Sequence, residues 1–394
     1  MKIKHTYLIL LVFILFGLAG CSNNSEESSA SKDTNTESVS DDRAVDVYSE
    51  SILDLSSYEL NDNESPDFIW NYCASADSGY YYGRNNFLYF YDIETATEVP
   101  LCNRADCSHI DETCNACFIS DAVNLNNIVY YDGYIYLVST KSSTGDIFLS
   151  RISEDGSTCE LEYMTLYQVA AESEGTFEVR YPNFIIHRDY VYYIISNETV
   201  PKVYRMKLGT SDREIVYTSS GTRPNVYRII YNGDFIFFQS GNFSDDNYID
   251  IDAGIFAYNT VNGEVALVKN GPVSTYDVQN ETIYYYSNSA IHAYSLRDGN
   301  ETILIEDNKC DLTDFTVIGE SLYLWDDEEN ILTIYDLNGE EIIQVSNENI
   351  SSCFYGDSRY FIGDYLETAN SVTYYCVLNI DDALAGIGKW TIIQ

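Results

Sequence analysis

Basic residues are scarce in this chain of 394: 21 Lys and Arg stand against 62 Asp and Glu, a formal charge of −41. A field of that sign repels nucleic-acid phosphates and anionic headgroups, so neither is a direct partner. Histidine is scarcer still, at four, which leaves little room for histidine-rich metal sites or imidazole acid–base chemistry. The common catalytic signatures are missing as well. There is no Gly-x-Ser-x-Gly elbow, no Gly-x-Gly-x-x-Gly, no phosphate-binding loop and no His-Glu-x-x-His.

What the chain has in quantity is apolar and aromatic surface. It is 45% hydrophobic and 14% aromatic, with 37 Tyr. That is too apolar for a disordered protein and long enough for one large or two ordinary domains. Residues 1–20 read as an address: Lys2, Lys4 and His5 precede an apolar run from Tyr7 to Leu18, too short to span a bilayer comfortably. Leu18-Ala19-Gly20-Cys21 then resembles the lipobox of bacterial lipoproteins. The resemblance implies a diacylated Cys21 as first residue of the mature protein, anchored at the outer face of the cell membrane. A plain signal peptide with a chance Cys is the competing reading. Residues 21–47, rich in Ser, Asn, Glu, Asp and Thr, are expected to be a solvated tether. Residues 48–67 are a lead-in.

From 68 to 394 one theme recurs. A turn residue heads a short aromatic strand at Ser78-Gly79-Tyr80-Tyr81, Asp132-Gly133-Tyr134, Arg188-Asp189-Tyr190, Gly233-Asp234-Phe235, Asn280-Glu281-Thr282, Gly319-Glu320-Ser321 and Gly356-Asp357-Ser358. The seven units recur near the 40–50 residue period of propeller blades. Each adds a second strand, such as Val203 to Lys207, and a third after Asn262-Gly263, Asp298-Gly299 or Asn338-Gly339. Asn-Gly and Asp-Gly favour the positive φ angles of tight hairpins. With the strand ahead of each header, a unit holds four antiparallel strands. Runs such as Val191-Tyr192-Tyr193-Ile194-Ile195 are apolar on both faces, so each sheet needs a neighbour on either side. The expectation is an all-β propeller of seven four-stranded blades; a large sandwich or two β domains is the alternative.

The blades, for example Ile283-Tyr284-Tyr285-Tyr286 followed by Ile291 to Gly299, resemble those of Tyr-Trp-Thr-Asp type propellers. They resemble more closely the uncharacterised propellers of cell-surface lipoproteins in clostridia-like bacteria. The resemblance covers residues 68–394. Single blades lack the Trp-Thr-Asp core, so receptor-style ligand recognition does not carry over.

One constellation is unusual. Cys102-x4-Cys107-x-His109-x4-Cys114-x2-Cys117 places five soft ligands in a loop at 102–117. Cys102, Cys107, His109 and Cys114 form a candidate Cys3His zinc site, a structural staple for a loop with no core of its own. An extracytoplasmic chain with several close Cys reads first as a disulfide scaffold, here one that includes Cys117; free thiols are the remaining reading. Cys353 and Cys376 share the last unit on strands two apart, too far for a disulfide. The acidic loop Asp245, Asp246, Asp250, Asp252 and the tip Asp326 to Glu329 read as solvated turns rather than calcium loops.

Two functional classes fit. The first is an anchored binding or scaffolding module for an envelope protein, a peptide or a glycan, using exposed Tyr as contacts. The second is an anchored hydrolase or lyase that acts on polysaccharide through carboxylates clustered at the central funnel.

Overall fold

The computed structural model describes residues 50–58, 60, 72–118, 123–141, 143–169, 183–195, 200–221, 224–242, 253–306, 315–326, 329–346, 349–367 and 372–393. Cys21 with its lipobox, the tether to residue 47, Cys310 and the acidic loop at 245–252 lie outside them. Among the described residues, seven four-stranded antiparallel sheets follow one another at 73–100, 123–167, 184–218, 224–270, 275–306, 315–346 and 350–392. The expected seven-bladed propeller is the fold. Every blade consists of four consecutive strands, so the ring closes without exchanging a strand between its ends.

Turn chemistry sets the hairpins. Asp132-Gly133 and Arg188-Asp189 join first to second strands, and Asn85-Asn86 and Asn288-Ser289 join second to third. All four pairs have positive φ at both positions, the geometry that matches strand twist. At the Asn-Gly and Asp-Gly sites between third and fourth strands the expected positive φ is present at the glycine, but the turns are longer than tight hairpins. At Gly263, Gly299 and Gly339 only the glycine is left-handed (φ 79°, 71° and 83°), inside turns of four or five residues. The longer turns accompany register slips between third and fourth strands, at Ile255/Phe256, Ile291/His292 and Ile334/Tyr335. A bulge there adds right-handed twist, which fans the outer edge of a blade away from its inner edge.

Seven apolar clusters fill the seams between neighbouring blades. Tyr81, Leu88, Ile135 and Leu137 lie between the first and second, and Tyr193, Leu149 and Met164 between the second and third. The sequence continues round to the last seam, where Tyr82, Ile362 and Val377 join the seventh blade to the first. Tyr80, Tyr82, Tyr192, Tyr193 and Tyr276 are among the largest fully buried side chains. Burying ~200 Å² of such a ring contributes about 5 kcal/mol before entropy is counted. This is why the strands are apolar on both faces: each face is one wall of a seam.

Polar bonds cross the same seams. Tyr131 Oη donates to Asp189 (3.0 Å), Asn232 Nδ2 to the Asn280 carbonyl (2.9 Å), and the Val317 amide to Asp277 (2.8 Å). At the closing seam Tyr80 Oη lies 2.9 Å from both oxygens of Asp357. Arg359 pairs with Asp357 and donates to the carbonyls of Asp77 (2.8 Å) and Ala76 (3.0 Å). The lead-in lies along the fourth seam: the Ser51 amide donates to Leu267 O (2.9 Å), Tyr58 meets Phe235 edge-on, and Leu60 is buried. Cys353 and Cys376 sit on the first and third strands of the seventh blade, both paired to Gly363. They are buried thiols raised by desolvation, small core residues as expected.

Candidate metal centre

The cysteine-rich loop follows Thr97–Pro100, the outer strand of the first blade, and is described as far as Phe118. It has turns but no strand or helix. The Cys107 amide donates to Arg104 O (3.1 Å), the Cys114 amide to Asp111 O (3.0 Å) and the Cys117 amide to Cys114 O (3.0 Å). Asp111 caps one turn, accepting from the Thr113 amide (3.0 Å) and hydroxyl (2.6 Å). His109 takes a left-handed φ of 57°. These turns bring Cys102 Sγ, Cys107 Sγ, Cys114 Sγ and a ring nitrogen of His109 within 4.8 Å of one another. His109 Nδ1 is 3.5 Å from Cys114 Sγ. Ligands at ~2.3 Å (sulfur) and ~2.05 Å (nitrogen) from a tetrahedral ion stand about 3.5–3.8 Å apart, so the donor set is close to a coordination shell. The Cys3His cluster could hold a metal ion.

Its electrostatics are those of thiols sharing one space. Burial acts to raise the Cys102 thiol, but amides of Arg104 and Asn115 and the neighbouring thiols of Cys114 and Cys107 bring it below its ordinary value. Burial, opposed by the Ala116 amide and reinforced by the thiols of Cys107 and Cys102, pushes Cys114 up to about 12. Among the described residues, no disulfide joins Cys102, Cys107, Cys114 or Cys117. Cys117 stands outside the four-donor set, buried in the apolar seam beside Phe87 and Phe118.

The end of the loop is a plug. Leu101, Ala116, Cys117 and Phe118 fill the seam between the first and second blades. The Leu88 amide donates to Ala116 O (2.9 Å) and the Phe118 amide to Asn86 O (2.8 Å). Asn115 Nδ2 reaches the carbonyls of Gly156 (2.9 Å) and Ser157 (3.1 Å) on the second blade. Gly156 is left-handed (φ +69°), and a Cβ there would lie 2.5 Å from the backbone of Leu101. Only glycine fits a turn pressed this closely on the loop.

No family model matches the chain, and no curated protein matches it. Solved structures do. A prolyl endopeptidase superposes with a TM-score of 0.54 at 11% identity, over 83% of this chain and 48% of that one. An oligogalacturonate lyase from Vibrio parahaemolyticus gives 0.54 at 9% identity, over 83% of this chain and 94% of the lyase. The chain thus spans about half of the endopeptidase and nearly all of the lyase. At these identities the likeness is one of fold, and the fold is compatible with binding or with catalysis.

The inner strands hold polar residues that the sequence reading did not single out. Arg228 sits at a bulge with φ 47°, its guanidinium 4.8 Å from the ring of Tyr276. Tyr276 Oη donates to Arg228 O (2.8 Å), and Asp277 accepts from Thr316 Oγ1 (3.1 Å) besides the Val317 amide. In the seventh blade Ser352 Oγ donates to Asp364 (3.1 Å), whose carboxyl is raised by burial. On the outer strand of the first blade, half-buried Glu98 joins Tyr82 and Arg84 of the second strand. For Arg228, Asp277 and Asp364 the signal in the sequence is a charge inside a largely apolar strand. Asp326 accepts from the Glu329 amide (2.9 Å), as a turn residue would. Among the described residues, the group of three or more close metal-ligand side chains is the loop cluster.

Proposed function

We propose that this chain is an extracytoplasmic propeller lipoprotein, anchored to the outer face of the cell membrane through Cys21, that works as a binding or scaffolding module. Its ligand would be an envelope protein, a peptide or a glycan. The observation that carries the reading is how the inner-strand polar groups are used. Asp277 bonds to Thr316 and Val317 of the next blade, and Tyr276 to Arg228 of the previous one. Groups held in this way stiffen a platform, and a rigid surface binds with less ordering entropy. The anchored polysaccharide hydrolase or lyase is the second reading, and its candidate carboxyl is Asp364, bonded to Ser352 Oγ (3.1 Å) and raised by burial.

Titrating the full chain with wall-glycan fragments, acidic polysaccharides and envelope peptides, with product analysis in parallel, separates the two. Saturable binding without turnover supports the module. Turnover lost in Asp364→Asn supports the enzyme, and neither result leaves both readings without a basis. Metabolic labelling with a fatty-acid analogue tests the anchor: label absent from the wild-type chain, or retained in Cys21→Ala, contradicts it.

The cofactor proposed is a structural zinc ion held by Cys102, Cys107, His109 and Cys114. Three thiolates and one imidazole make a closed shell with no position left for substrate, the hallmark of a structural rather than catalytic site.

A further inference from the structure

Resting on the zinc reading above, we propose that the loop is a redox-released staple. A peroxide joins Cys102 to Cys107 as a disulfide, and the zinc departs. The sequence offers a metal site or a disulfide scaffold, and one arrangement of atoms serves both. The three Sγ atoms lie within 4.8 Å of one another, and an S–S bond of about 2.05 Å needs only a modest further approach.

Burial selects the pair. Cys114 is 3% exposed and tied to the plug that fills the seam. Cys102 and Cys107 are half-buried, and every residue between them, from Asn103 to Asp106, is exposed and outside any strand or helix. Cys102 and Cys107 pack only on the edge of that seam, while Cys114 lies within it, so bringing the two sulfurs together displaces chiefly the exposed turn between them. His109 and Cys114 remain, and two ligands do not retain a structural zinc ion.

The chemistry balances. One thiolate attacks the peroxide, the O–O bond breaks, and the sulfur becomes a sulfenic acid while hydroxide leaves. The second thiolate attacks that sulfur and expels a second hydroxide. Two protons convert the hydroxides to two waters, the two sulfurs have lost two electrons to the peroxide oxygens, and Zn²⁺ is released unchanged in oxidation state. Thiol reductant with zinc reverses the step.

The test begins with metal analysis of the full chain before any oxidant is added. A chain without zinc at that stage overturns the zinc reading itself. Zinc-loaded chain is then titrated with hydrogen peroxide while free zinc, thiols and tryptic peptides are followed. The expected result is one zinc freed for every two thiols lost, a Cys102–Cys107 cross-link lighter by two hydrogens, and recovery with dithiothreitol and zinc. Cys107→His keeps four donors without the partner thiol and should release zinc at least about tenfold more slowly. Zinc retained after peroxide, or a cross-link to Cys114 or Cys117 instead, overturns the proposal. So does sulfinic acid in place of the disulfide. Peptide mapping of the wild-type chain decides the matter even if the variant folds poorly.

Discussion

Ring closure without an exchanged strand should leave the seventh-to-first seam dependent on its side chains. Tyr80→Phe removes one oxygen from that seam. The hydroxyl is fully buried and 2.9 Å from both oxygens of Asp357, which is itself 5% exposed and paired with Arg359. A hydrogen bond to a charged, buried acceptor contributes about 1.5–3 kcal/mol. Unfolding entropy near 2.1 cal/mol/K per residue gives a domain of this size about 0.7 kcal/mol/K, so Tm should fall by about 2–4 °C. Tyr276→Phe is the matched control. Its hydroxyl donates to the neutral carbonyl of Arg228 at 2.8 Å, across a seam whose blades are consecutive in the chain. That loss is about 0.5–1.5 kcal/mol, or about 1–2 °C. Calorimetry of both variants, with hydrogen exchange at 76–84 and 357–366, reads the difference. Equal losses, or exchange that opens first at another seam, would refute the idea that closure rests on this bond.

Three further outcomes are expected. Gly156→Val forces a β-branched residue into a left-handed φ against Leu101 and should cost about 2–4 kcal/mol by denaturant titration; a loss under ~1 kcal/mol would mean the loop is not pressed on that turn. Arg151 lies 4.4 Å from the ring centre of Tyr134 and 3.7 Å from that of Tyr163 while bonding Glu160 through Nε (2.9 Å) and Nη2 (2.8 Å). Arg151→Lys cannot keep the fork or the stacking and should lose about 1 kcal/mol, with an unchanged midpoint the contrary result. Asp364 gives a pH test. Burial raises its folded carboxyl above 3.8, so its favourable contribution is complete below that pH and is lost as pH rises through the folded value. Asp364→Asn should therefore gain on the wild type between acid and neutral pH; parallel stability curves for the two would contradict the assignment.

Most of the fold was legible because it is written locally. Header turns such as Asp132-Gly133 and Arg188-Asp189 recur in each unit, and the strands after them are apolar on both faces. Only stacked sheets satisfy that pattern, hence seven seams. The four-donor cluster was legible for the same reason, since its members span thirteen consecutive positions from Cys102 to Cys114. What could not be read depends on residues distant in the chain. Tyr80 and Asp357 are separated by 277 positions. Cys117 shares the spacing of the other ligands but is claimed by the seam through Phe87. The Asn-Gly and Asp-Gly turns keep the expected positive φ at glycine but are longer than tight hairpins, since register slips in the outer strand pairs accompany them.

Zinc K-edge X-ray absorption on the full chain, purified without chelator, addresses the loop most directly. One zinc per chain is expected, with three sulfurs at about 2.3 Å and one nitrogen at about 2.0 Å. A chain that carries no zinc, or zinc bound only by nitrogen and oxygen, would contradict the Cys3His staple.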